Sequence, residues 1–238
     1  MTAGPGASGL SVIPVVGVPE IKPGDVLAEL IAPLVQLATG DVVVVTQKIV
    51  SKAEGRLVPL PSADRRDARA IVESEARRVL RRRGDLIITE TAHGFVCANS
   101  GVDLSNVEDG WAALLPTDPD RSARRIRDGL AGRTGVRVGV VVSDTFGRTW
   151  RRGVTDVAIG CAGVAAVVDL RGTVDALGRE LVATEVCVAD EIAAAAELVM
   201  GKARGVPVAV VRGVDPAWRR ESSVAGEVVR PYGEDLFR

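Results

Sequence analysis

Cysteine, histidine, lysine and the aromatics are all scarce in this chain of 238 residues, and each scarcity closes off a class of protein. Cys97, Cys161 and Cys187 are odd in number and far apart, so neither a disulfide framework nor a zinc cluster is indicated. They read as small buried hydrophobes in a reducing compartment. His93 is the only histidine and has no second ligand beside it in the sequence, so it reads as structural rather than metal-binding. Aromatics make up 3% of the residues, too few for the stacking platforms of single-stranded nucleic-acid binders. With 30 basic and 31 acidic residues the net charge is −1, and nothing points to non-specific nucleic-acid binding. The longest apolar run, residues 157–168, is shorter than a bilayer span and holds two glycines. Residues 1–10, MTAGPGASGL, lack the charged-then-apolar pattern of a signal peptide and read as a flexible tail. The expectation is a cytoplasmic protein with no membrane segment. No GxGxxG follows a strand and no GxxxxGK[ST] occurs, so neither a Rossmann nor a P-loop nucleotide site is licensed.

What is present is polar chemistry after apolar strands. In VGVVVSDTFGRTWRRG, residues 138–153, a β-branched run reads as a buried strand that breaks at Ser143-Asp144-Thr145. Asp144 falls where the strand is expected to end, with a hydroxyl on each side. A carboxylate and hydroxyls there suit a hard cation. Arg148, Arg151 and Arg152 follow, and a planar guanidinium suits phosphate or carboxylate. A strand-to-turn Asp beside a solvated Arg-rich loop is the other reading of the same residues. Residues 41–46, DVVVVT, are a second buried strand and run straight into Gln47-Lys48-Ile49-Val50-Ser51-Lys52. The chain has four lysines (Lys22, Lys48, Lys52 and Lys202), so two of them here form a second candidate site, with a solvated helix start as the alternative. Asp103, in the turn-rich loop 99–106, is a carboxylate that could join Asp144 around a divalent ion.

Around these the periodicities predict a first strand over 11–17 and a helix over 26–40, capped by Asp25 and kinked at Pro33. A charged helix is expected over 63–83, with Ala68, Ile71, Val72, Glu75, Ala76, Val79 and Leu80 on its inner face. Further helices are expected over 119–133, with Asp118 as N-cap and Pro119 at its first position, and over 184–201. Strands are expected over 85–90, 95–98 and 206–211. Several strand pairs have no helix between them, which favours an α+β fold with mixed sheets over a doubly wound parallel one.

Read in order, GDVVVVTQKIVSKAEGR, GVDLSNV, VVSDTFGRTWRRG and ELVATEVCVADEIAAAAELVMGKARGVPVAVVRG resemble the coenzyme F420-0:gamma-glutamyl ligase family. The resemblance covers about residues 11–238, as one ligase domain after the tail. It implies an α+β fold of two intimately joined subdomains, a homodimer, and GTP-dependent addition of L-glutamate to coenzyme F420-0 with Mg or Mn and an activating potassium. It also implies site residues. Val18, Pro19, Glu20 and Ile21 match the guanine-nucleotide loop; Gln47, Lys52 and Asn106 match further GTP contacts; Gly201 and Lys202 fall in its nucleotide-binding turn. Asp103 matches a metal ligand, Asp144 a ligand of the first metal and Thr145 of the second. Many relatives read MGQ where this chain reads Met200-Gly201-Lys202, and an ammonium cannot ligate a cation, so a weaker or partly replaced second metal is expected. In actinobacteria the family domain often precedes an FMN-binding nitroreductase-like domain, and this chain would be a stand-alone ligase or the ligase part of that arrangement.

The residues agree with that chemistry. Making an amide from a carboxylate requires a better leaving group than oxide, which phosphorylation supplies, and phosphoryl transfer depends on positioning and charge neutralisation. Lys52, Asp144, Arg148 and Arg151 are the expected catalytic set. Two other readings use the same residues: a metal-dependent nucleotide phosphohydrolase, and a non-catalytic ligand-binding module that retains the fold.

Overall fold

The computed structural model describes residues 9–60, 68–105 and 107–237. The elements run β1 (Ser11–Pro14), α1 (Leu27–Ile31), β2 (Val42–Thr46), α2 (Gln47–Ala53), β3 (Leu57–Pro59), α3 (Ala68–Glu75), β4 (Ala76–Arg83), β5 (Leu86–Thr91), β6 (Val96–Ala98) and β7 (Trp111–Ala113). They continue with α4 (Pro119–Thr134), β8 (Gly139–Arg148), β9 (Arg151–Ala162), β10 (Val168–Asp169), β11 (Glu185–Val186), α5 (Val188–Met200), β12 (Val208–Arg212) and α6 (Val224–Glu227). The α+β expectation holds. A five-stranded sheet has the order β1-β12-β2-β8-β9, in which only β2 and β8 run parallel.

The unbroken valines of β2 follow from burial on both faces of this sheet. Val43 and Val45 pack towards α1 and α4 with Ile31, Ile126 and Leu130, while Val42 and Val44 pack towards α5 with Ile192, Ala196 and Met200. β12 divides in the same way, with Val208 and Val210 on one side and Ala209 and Val211 on the other. The 57–113 segment is a smaller lobe. β3 leaves the core and β7 returns as its antiparallel partner, and between them β4, β5 and β6 form a three-stranded sheet. Ser51 Oγ to Leu114 O (2.6 Å) and the Arg56–Glu75 pair (2.8 Å) tie the lobe to the core.

Four expectations change. The helix over 63–83 is, among the described residues, α3 followed at once by β4; residues 63–67 lie outside the described residues. Val79 and Leu80 do fall at helical spacing, but pairing of β4 with β5, supported by Arg78–Glu90 (3.0 Å), overrides that preference. The helix over 26–40 is only α1 and a single 3₁₀ turn at Ala32–Leu34, ended where Pro33 removes a donor. Asp25 does not cap it, because its carboxylate accepts the Lys22 N–H within a turn (2.7 Å). The helix over 184–201 begins only at Val188, because Glu185 and Val186 pair with β10. Asp118 and Pro119 behave as expected: the Asp118 carboxylate accepts the Arg121 N–H (2.9 Å), and Gly135, at φ 70°, closes α4.

Asp120, in the first turn of α4, is a buried carboxylate that joins three elements. Its Oδ1 accepts the backbone N–H groups of Cys161 (2.8 Å) and Val224 (2.9 Å), and its Oδ2 that of Ala225 (3.1 Å). An amide in its place would turn a donor towards a donor. Asp120→Asn should therefore lower unfolding free energy by about 3 kcal/mol, as for a buried charged hydrogen bond lost with a group left unsatisfied. A urea midpoint within error of the parent protein would refute this.

Candidate active site

At the carboxyl ends of the parallel strands β2 and β8 lies a cavity of about 790 Å³, within the range of small-molecule sites, about 300–1,000 Å³. It gathers Asp103, Asp144 and Asp156 with three of the chain's four lysines, Lys48, Lys52 and Lys202. Val18, Pro19, Glu20, Ile21, Gln47, Thr145 and Gly201 also line it, so most of the residues marked out in the sequence converge. Asn106 lies outside the described residues. Arg148 and Arg151 do not line the cavity. They sit on the exposed turn of the β8–β9 hairpin with Trp150, which is 81% exposed, and Arg148 donates to Arg152 O (2.9 Å).

The reason corrects the expectation that the strand ends at Asp144. β2 stops at Thr46, opposite Ser143, but β8 continues to Arg148 because β9 supplies its backbone partners. The hairpin thus projects beyond the sheet and carries the arginines away. A register shift between Val142 and Ser143 leaves one extra residue on β9 and brings Thr145 opposite Asp156. Such bulges re-aim side chains. Alternation then puts Asp144 on the face of the sheet opposite to Ser143, Thr145 and Asp156.

On the second face, Asp156 is 2% exposed and accepts the hydroxyls of Ser143 (2.9 Å) and Thr145 (2.5 Å). Their lone pairs are thereby left free to point elsewhere. The Lys202 ammonium lies 3.4 Å from Asp156 and 4.0 Å from Glu197. It is delivered by Gly201 at φ 61°, where an added Cβ would meet the Arg204 side chain at 3.1 Å. Sequence reasoning missed Asp156 and Glu197. The only signal for Asp156 was a lone charge inside an apolar stretch, and its pairing with Thr145 depends on the bulge.

On the first face, burial pushes Asp144 up to about 7, and the nearby Asp103 and Asp156 carboxylates add to the shift against the Thr145 backbone N–H. Asp103 arrives through a strained turn. Asn99 and Ser100 both have positive φ (53° and 54°), each costing about 1–3 kcal/mol. That conformation is held by Ser100 N–H to Thr89 Oγ1 (3.0 Å), Ser100 Oγ to Val72 O (2.7 Å) and Ile87 N–H to Asn99 Oδ1 (3.0 Å). Asp103 itself exchanges two backbone hydrogen bonds with Ala113 (2.9 and 2.8 Å).

α2 presents the rest. Lys52 is buried and pairs with Glu20 of the 18–21 loop. Gln47 is 2% exposed, and its amide nitrogen has no partner. Ser51 Oγ lies near both Leu114 O (2.6 Å) and Gln47 Oε1 (2.7 Å) but has one hydrogen to give. Either orientation of the amide leaves one buried polar atom of Gln47 without a partner among the described residues. His93 does not line this cavity: its Nε2 lies 2.9 Å from Pro116 O and its ring stacks on Phe95.

The donors suit a hard cation: Asp103, Asp144 and Asp156, with the Thr145 hydroxyl, line the cavity and offer only oxygen. Among the described residues no group of three His, Cys, Asp or Glu side chains forms a ready-made cage. An ion here would share its ligands with a bound phosphate, as Mg characteristically does. No described helix is long and apolar enough to cross a membrane.

A family model described as F420-0:Gamma-glutamyl ligase matches residues 16–213. The chain is similar to the coenzyme F420:L-glutamate ligase of Methanopyrus kandleri, 45% identical over 92% of this chain and 94% of that protein. It is also similar to proteins of the same name from Methanothermobacter thermautotrophicus (42% identical, 97% and 99% covered) and Archaeoglobus fulgidus (44% identical, 96% of each covered).

Proposed function

Since the chain belongs to the F420-0:gamma-glutamyl ligase family, we propose that it joins L-glutamate to coenzyme F420-0 through an amide bond, using GTP. The observation that carries this is the gathering of three carboxylates and three lysines in one cavity beside the buried Gln47 amide nitrogen, which has no partner among the described residues. The 18–21 loop and Gln47 would take the guanine nucleotide, and the family resemblance assigns Asn106 to the same ligand. Lys52 and the turn at Gly201-Lys202 would meet its phosphates. Asp103 and Asp144 would hold one Mg or Mn, which when bound neutralises phosphate charge; Thr145 faces a second such position. Arg148 and Arg151, of which phosphate contact was expected, are exposed on the hairpin and do not line the cavity of the single chain. The homodimer that the family implies would have exposed apolar side chains to cover, among them Trp150, Leu177 and Val182.

In this reading a carboxylate oxygen of F420-0 bonds to the γ-phosphorus and GDP leaves. The glutamate amine then attacks the acyl carbon, loses a proton, and expels phosphate. Among the described residues neither histidine nor cysteine lines the cavity, and Ser105 and Ser143, which do, have no imidazole beside them, so the Ser–His or Cys–His pair of an acyl-enzyme is lacking. With heavy oxygen in the F420-0 carboxylate, one labelled oxygen should appear in released phosphate for each amide made. Label wholly retained in the amide would overturn the acyl-phosphate route. Phosphate released from GTP without F420-0 at the same rate would favour a phosphohydrolase.

Lys202 occupies the position where many relatives have glutamine, and its ammonium stands where a second ion would approach Asp156. Lys202→Gln should shift the dependence of activity on Mn to lower concentration, because an amide oxygen is a hard-cation ligand. An unchanged or weaker dependence would assign Lys202 to phosphate alone.

A further inference from the structure

Lys48 has been given no task so far, yet it makes a concentrated set of contacts. Its ammonium lies 2.6 Å from Asp103 Oδ2, 2.5 Å from Ser105 O and 2.8 Å from Ser105 Oγ, with the side chain 15% exposed. All three acceptors belong to one short loop, and all three of the ammonium's hydrogens are used. The other Asp103 oxygen accepts the Ser105 N–H at 2.7 Å. The backbone of Asp103 cannot swing away, because it is bridged to Ala113 in both directions. A cation that takes Asp103 as a ligand therefore meets a positive charge already seated there, and the mobile partner is the four-carbon lysine stem.

We propose that Lys48 is a built-in counter-ion of the Asp103 position, which seats the 103–105 loop in the metal-free protein and must be displaced when a divalent ion binds. The inference rests on Asp103 being a metal ligand, as in the function proposed above. Its consequence is that metal binding frees an ammonium inside the cavity at the moment phosphate charge is to be met. Lys48 is thus a positioning residue whose contacts are exchanged rather than static.

Binding of Mn alone to the full chain, read from the electron paramagnetic resonance signal of free Mn, tests this without turnover. Lys48→Met should tighten Mn binding about tenfold, equivalent to about 1.4 kcal/mol, and Lys48→Arg should stay near the parent value. In the parent protein, Mn should raise acylation of Lys48 by acetic anhydride severalfold relative to Lys22, read by mass spectrometry; this arm stands even if the Met variant fails to fold. Mn bound equally or more weakly by Lys48→Met, or Lys48 acylation unmoved by Mn that binds, would overturn the proposal while leaving the metal site intact. If neither the parent nor Lys48→Met binds Mn, the metal reading of Asp103 fails and this inference with it.

Discussion

Replacing Asp144 by asparagine should reduce turnover by about a thousandfold, about 4 kcal/mol in barrier, while the protein remains folded. The substitution keeps the volume and removes an anion from the cavity that Asp103 also lines. Folding should not suffer, and the sign can be worked out. Burial and neighbouring carboxylates raise Asp144 to about 7, so its ionised form is disfavoured in the metal-free fold. A raised carboxyl pKa gives a contribution that opposes folding increasingly as pH rises from the unfolded value, near 4, through about 7. At pH 8 the metal-free Asn variant should therefore melt no lower than the parent. Near-parental turnover would remove Asp144 from the mechanism, and a midpoint lower by several degrees would make it a structural group.

The second large effect is expected at Lys52. Lys52→Met should lower kcat/KM for GTP by about 100- to 1,000-fold, the scale for losing one preorganised charged donor to a developing negative charge. Lys52 also pairs with Glu20, so loss of activity could arise from a loosened 18–21 loop. Glu20→Gln separates the two causes, because it removes the ion pair and keeps the ammonium. If Lys52 meets phosphate, Glu20→Gln should be at least tenfold milder than Lys52→Met. Equal losses in the two variants would reduce Lys52 to a tie for the loop.

Individual residues show how far the sequence carried. Asp118 and Pro119 announced α4 because capping is a local interaction, complete within four residues. The valines of β2 announced a strand covered on both faces. The helix was legible over 68–75 but the fate of residues 76–83 was not, because the apolar spacing of Val79 and Leu80 does not exclude a strand, and only β5 decides between them. The cavity was legible where its residues follow apolar strands, as at Gln47, Lys52 and Asp144. Asp156 was invisible, because its place opposite Thr145 depends on one extra residue in β9. The place of the arginines was hidden for the opposite reason: close in sequence to Asp144, they are carried outside the cavity by a hairpin whose length only pairing reveals.

The order of the large sheet also bears on how the chain can be made. β12, near the far end of the sequence, lies between β1 and β2, both in its first fifth. A ribosome therefore delivers the edge first and the middle last. Until residues 208–212 emerge, β1 has no neighbour in this sheet and β2 has only β8, with Val43 and Val45 lacking their flanking strand. Contacts of such long sequence separation slow folding and leave apolar edges exposed meanwhile. Nascent chains stalled before β12 should be easy prey for proteases and chaperones, and the last strand acts as the keystone.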